Sequence, residues 1–217
     1  INPDYLSTVC RVFQDSRIGV ISGAISPEYE KIPGAWFRNE ESRLAIRRPP
    51  TEATYLTNIP IFNDFFPIGA GMAVRREVIS SYFQSIADGS SFIPGRVGSQ
   101  LSSAEDVDLD FFAISQGYLI GTAGSLKSLH IIPAERTSLN YLSRLAIGAV
   151  ESAGEVNRKW AGRFGRDVFE SFTTSRRRLR LQCIFAACLC WSPHYRIRYH
   201  SLRTLLKISR VTTRART

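Results

Sequence analysis

At 217 residues, 44% of them apolar, the chain has enough material for one ordinary domain plus an appendage. Its net charge of +9 is unevenly placed: residues 1–150 hold 13 Lys and Arg against 15 Asp and Glu, whereas residues 151–217 hold 15 against 4. No run reaches the roughly 18 apolar residues needed to cross a bilayer, and Cys10, Cys183, Cys188 and Cys190 show no Cys-x-x-Cys spacing and no signal peptide, so buried, reduced thiols in a cytosolic setting are the expectation.

In chain order, Ile18–Ile25 is a β-branched run closed by Pro27 and predicts a strand. After Pro33-Gly34, the stretch Trp36–Arg47 predicts a helix, and the prolines from Pro49 to Pro60 predict a loop. A small-residue strand is predicted over Ile68–Val74, turning into a helix over Arg76–Gln84. Within it Gly69, Ala70 and Gly71 let the backbone approach a ligand or a packing partner closely. Val74 stands where a dinucleotide fingerprint needs its third glycine. The Gly- and Ser-rich stretch Asp88–Ser99 predicts another loop, with Arg96 near its end.

The run from Ser102 to Asp110 then concentrates acids and hydroxyls ahead of an apolar helical face. Val107, Phe111 and Ile114 repeat at i, i+4 and i+7, with Phe112 beside them, predicting an amphipathic helix over Glu105–Gln116 that ends at Gly117. Glu105 and Asp106 fall in its first turn, where the helix dipole favours carboxylates. Capping alone accounts for such acids. So does chemistry, because an ionised carboxylate at a domain rim can take a proton from a sugar hydroxyl. A calcium loop is a poor rival, since Phe111 occupies the position that needs glycine and Gly117 the one that needs an acid.

Tyr118–Thr122 and Leu126–Ile131 predict two further strands, and Leu139–Glu151 a helix. The fold class is therefore mixed α/β, with helices packed on a sheet. Beyond Arg158 a longer pair of basic helices is predicted. One contains the apolar run Leu181–Trp191, preceded by Arg176, Arg177, Arg178 and Arg180 and followed by Arg196, Arg198, Arg203, Lys207 and Arg210. Cationic flanks of this kind suit an interfacial helix on anionic lipid. They equally suit a helix docked on another part of the protein. Nucleic acid is not expected, because aromatics are not interleaved with the basic residues. The charge step divides the chain into residues 1–150 and a basic helical tail, residues 151–217. Cys188, Cys190 and His194 lack an evident fourth metal ligand.

Across residues 1–150, the succession Ile18–Ser26, Pro33-Gly-Ala-Trp36-Phe37, Pro67-Ile-Gly69-Ala70-Gly71-Met through Val78, Gly95-Arg96-Val-Gly98 through Glu105-Asp106, Gly117-Tyr118, His130-Ile-Ile-Pro133-Ala-Glu-Arg136 and the helix Leu139–Ala149 resembles the acceptor half of a family 2 glycosyltransferase. Such enzymes are inverting, nucleotide-sugar-dependent transferases of the GT-A type. The resemblance implies an incomplete GT-A mixed sheet flanked by helices. It also implies transfer of a hexose from a nucleotide-diphospho-sugar donor to a glycan or lipid-linked acceptor, with Mg²⁺ or Mn²⁺, in polysaccharide biosynthesis. Asp106 matches the general base of the family's Glu-Asp motif, and Glu105 the residue that binds acceptor or orients the loop. Gly69, Ala70 and Gly71 become substrate-binding backbone.

Arg96 becomes a residue that reaches the acceptor or holds its loop, Trp36 a sugar-stacking or core ring, and Arg136 a neutraliser of the diphosphate or a surface ion-pair partner. His130 is implied as a metal ligand, with a structural histidine as the alternative. The family's metal-binding Asp-x-Asp motif would precede a segment like Asn2–Leu6. Here the chain opens at Ile1, and the letter matches Asp106-Val-Asp108 and Asp108-Leu-Asp110 fall on a helix. The expectation is thus a fragment lacking the donor half, inactive alone, in the cytoplasm or at the inner face of the membrane. A non-catalytic module, tied to membrane or nucleic acid by its basic tail, is the alternative.

Overall fold

The computed structural model describes residues 3–90, 92–93, 95, 101 and 104–214, with side chains described as far as residue 209. Two units assemble from interleaved stretches of chain. The first comprises Ile1–Glu28, Leu44–Ile93 and Glu105–Ile132, and the second Tyr29–Arg43, Pro94–Ala104 and Pro133–Thr217.

In the first unit, α1 (Tyr5–Val12) leads into β1 (Ile18–Tyr29), and β2 (Thr54–Thr57) and β3 (Ala73–Val74) follow. Then come α2 (Arg76–Ala87), α3 (Glu105–Ser115) and β4 (Leu119–Ile132). The four strands form an open mixed sheet in the order β2-β4-β1-β3. β3 lies antiparallel to β1, pairing Val20 with Val74, and β2 lies antiparallel to β4, pairing Tyr55 with Thr122. Along the central pair the neighbours advance together, with the Leu119 N–H donating to the Arg17 carbonyl and Gly23 lying against Leu126. β1 and β4 therefore run the same way. α1 covers this sheet through Tyr5, with Val9 and Val12 at helical spacing, over a core of Ile18, Ile21, Ala123 and Leu126.

The mixed α/β class holds, and several element boundaries are corrected. The predicted strands Tyr118–Thr122 and Leu126–Ile131 are one strand. The intervening Gly124 is not punctuation: a Cβ there would lie 2.0 Å from the Thr51 carbonyl, so glycine admits the close approach of the chain entering β2. β2 itself falls inside the predicted Pro49–Pro60 loop. The predicted strand Ile68–Val74 shrinks to Ala73–Val74. Gly71 takes φ +66°, and the Met72 N–H donates to the Gly69 carbonyl, which makes this segment a turn. The predicted helix Trp36–Arg47 is a 3-10 helix, Ala35–Leu44, stopped where Ala45 enters the left-handed region at φ 61°.

The second unit is helical. A short 3-10 turn, Ala134–Thr137, precedes α4 (Leu139–Phe164), α5 (Glu170–Thr173), α6 (Arg176–Cys188) and α7 (Pro193–Arg214). α4 continues through residue 150 and far past its predicted end at Glu151. Its real signals are Ser138, whose side chain caps the Tyr141 N–H, and Gly165, which ends the helix at φ 68°. Gly154 in its interior lies against Ile208 of α7. Glu40, only 1% exposed, ties the unit together: its carboxylate accepts from Arg43 Nε at 2.6 Å and meets His194 Nδ1 at 2.6 Å. His194 is thus engaged away from the cysteines. The cysteines are not buried as expected: Cys10 and Cys188 are exposed and Cys183 and Cys190 half-buried, all as free thiols. Replacing Arg43 by alanine leaves a buried carboxylate with one partner fewer. Urea unfolding of the Arg43→Ala variant is expected to show a loss of about 2 kcal/mol.

Candidate active site

α3 builds the site. It was expected to be amphipathic, but every residue from Asp108 to Ile114 is buried, and only the first turn and the terminal Ser115 are partly exposed. Asp106 occupies that turn, half-buried, while Glu105 is exposed. Two backbone N–H groups hold the Asp106 carboxylate: Gly69 donates to Oδ2 at 3.0 Å and Val107 donates to Oδ1 at 2.8 Å. Gly69 is glycine at a point of contact, since a Cβ there would touch Asp106 Oδ2 at 3.4 Å. The turn that delivers this N–H is fixed in turn by Gly71, whose carbonyl accepts from the Tyr5 hydroxyl. Two segments separated in sequence, Gly69–Gly71 and Glu105-Asp106, are thereby brought together, with Ala70 half-buried between the glycines.

Three further groups complete the electrostatics of this region, and none was singled out from sequence. Arg47 sends its guanidinium inward, donating to the Phe66 carbonyl and to Thr122 Oγ1 at 2.9 Å. Thr122 in turn donates to the Phe65 carbonyl at 3.1 Å. Burial pulls the Arg47 pKa down, and the carboxylates of Asp64, Asp110 and Asp106 oppose that pull. Asp110 lies one turn along α3 from Asp106, on the same helical face. It is fully buried, and neither of its carboxyl oxygens has a hydrogen-bond partner among the described residues.

Burial, and then the charge of Asp106, push the Asp110 carboxyl well above the usual carboxylate range, against the attraction of Arg47. Asp108, also buried, accepts from the Tyr82 hydroxyl at 2.7 Å; burial and this bond raise the Tyr82 hydroxyl above its ordinary value. The sequence signal for Asp108 and Asp110 was their alternation with Val107, Leu109 and Phe111, which on a helix puts acids on more than one side. For Arg47 the signal was weaker: an arginine ahead of a loop looks like any solvated charge.

The other expected site residues divide between the units. Trp36 and Arg136 belong to the second unit, both half-buried, Trp36 meeting the Phe37 ring edge-on with centroids 6.0 Å apart. Arg96 lies outside the described residues. His130, in the first unit, has Nδ1 2.9 Å from the Leu44 carbonyl, a bond that suits a structural histidine. Among the described residues no group of three or more His, Cys, Asp or Glu could hold a metal ion. The described residues thus do not by themselves fit a metal centre. In comparisons with known proteins, the chain matches no family model, no curated protein and no solved structure.

The arrangement predicts a distinctive pH response. A carboxyl whose folded pKa lies above its unfolded value costs nothing below the unfolded pKa, near 4. The cost grows as pH rises from there toward the folded pKa. Asp110→Asn removes that cost with little change of shape. Thermal melts should show wild type and variant nearly equal at about pH 4, with the variant increasingly the more stable toward pH 8; a constant gap across this range would refute the assignment.

Proposed function

We propose that this chain is the acceptor-side portion of an inverting, GT-A type, family 2 glycosyltransferase, in which Asp106 is the general base. The reading rests on the resemblance of residues 1–150 and on one geometric observation. The carboxylate of Asp106 stands at the surface end of an otherwise buried helix, oriented by the Gly69 N–H at 3.0 Å. In this reading an acceptor hydroxyl approaches the Asp106 carboxylate and passes its proton there. The freed oxygen lone pair attacks the anomeric carbon of the donor. The bond from that carbon to the diphosphate breaks on the opposite face, the diphosphate leaves with the electron pair, and configuration inverts.

The two backbone N–H groups hold the base at a fixed orientation without supplying a competing positive charge. Gly69, Ala70 and Gly71 allow the acceptor sugar to lie against the turn, and Glu105, exposed beside the base, offers its hydroxyls a partner. A Mg²⁺ or Mn²⁺ ion enters only as the companion of the donor diphosphate, whose charge it offsets when bound. No ligand for it is assigned among the described residues.

The reading is tested in the full-length gene product by following release of nucleoside diphosphate from a panel of nucleotide sugars in the presence of glycan acceptors. Asp106→Asn should lower transfer roughly 10²- to 10⁴-fold while leaving donor affinity nearly unchanged. Unaltered transfer would remove Asp106 from the chemistry, and absence of any turnover across donors would favour the non-catalytic module.

A further inference from the structure

α6 has apolar residues on both sides, and the two sides have different fates. Leu179 and Ala186 are buried and Cys183 is half-buried, forming the inward stripe at helical spacing. At 100° per residue, Leu181, Ile184, Phe185 and Cys188 project from the opposite side. Leu181 and Ile184 are each 62% exposed, Phe185 is 60% exposed, and Trp191, just beyond the helix, is 80% exposed. Single exposed apolar residues are ordinary, but a contiguous set on one helix face marks a contact surface. Arg177, Arg178 and Arg180 are exposed on the same outward side. After Glu170 the chain carries eleven Lys and Arg residues and no Asp or Glu.

We propose that this outward face of α6 docks on an anionic lipid surface, with Leu181, Ile184, Phe185 and Trp191 entering the headgroup–acyl boundary and the three arginines meeting lipid phosphates. Charge complementarity selects this occupant. A second copy of the chain would set arginines against arginines with nothing to pair them. Nucleic acid would satisfy the arginines but leave aliphatic side chains in water, whereas a bilayer interface satisfies both. Among the described residues no helix is long and apolar enough to cross a membrane, so the contact is in the plane of the surface. The inference is independent of the transferase reading, since it uses none of that reading's residues.

The test is sedimentation of the chain with vesicles, comparing pure phosphatidylcholine with phosphatidylcholine carrying about 30 mol% phosphatidylglycerol. Binding is expected only to the anionic vesicles. It should weaken in high salt and fall roughly ten-fold or more in an Ile184→Ser, Phe185→Ser double variant, because both apolar and ionic terms are required. These side chains point to solvent, so circular dichroism and melting of the variant should match the wild type. Three results would each overturn the proposal: no binding to anionic vesicles, equal binding by the double variant, or concealment of the face in a stable dimer seen by ultracentrifugation. Retention of duplex DNA with loss of vesicle binding would also overturn it, in favour of nucleic acid.

Discussion

The geometry of the candidate site depends on how the Asp106 carboxylate is held, among the described residues, by backbone donors. Asp106 receives its hydrogen bonds from the backbone of Gly69 and Val107, and backbone donors carry no net charge and do not titrate. An arginine in their place would neutralise the group it orients. The arrangement in turn imposes demands on the neighbouring chain: a turn able to aim one N–H outward, a left-handed residue at Gly71, and the Tyr5 hydroxyl closing on the Gly71 carbonyl. A helix seemingly remote from the site, α1, thus helps to set its geometry.

Beneath Asp106 lies a second constraint. α3 buries two more acids, and they are handled differently. Asp108 has a phenol to accept from. Asp110 has only the field of Arg47 and no hydrogen bond among the described residues, so burial drives it toward its neutral form. A neutral acid one turn below a charged one avoids the repulsion that two ionised carboxylates would suffer at that spacing. Arg47 in turn is anchored by a carbonyl and a threonine hydroxyl, so its position does not rely on either acid. The polar groups under the site thereby form a graded set, from surface carboxylate to buried acid to anchored cation.

Much of this was legible in the residues, for physical reasons that differ by element. The strand at Ile18 follows from its β-branched run, and helices begin at Arg76, Glu105 and Leu139 as expected, though α4 extends well beyond its expected end. Errors cluster where glycine has two meanings. Gly124 looked like a break and instead makes room for a neighbouring carbonyl, while Gly69 and Gly71 looked like strand and form a turn. Tyr5, Val9 and Val12 had helical spacing that went unread. At the site, Asp106 and the glycine segment were both singled out, yet nothing local foretold their contact, because 37 residues separate them. Arg47 and Asp110 owe their importance to burial, which depends on the whole fold and leaves no mark in a short window of sequence. The outward apolar face of α6 shows the converse: composition revealed the apolar run, but only the fold distinguishes its inward residues from its outward ones.

The central strand pair also bears on how the protein acquires its shape. β4, the parallel neighbour of β1, follows it about a hundred residues later in the chain, after β2, β3, α2 and α3. β3 can pair with β1 at Val20 and Ile21 before β4 is made, but the other edge of β1 closes only when β4 arrives. So wide a sequence separation across the sheet's middle favours slow folding.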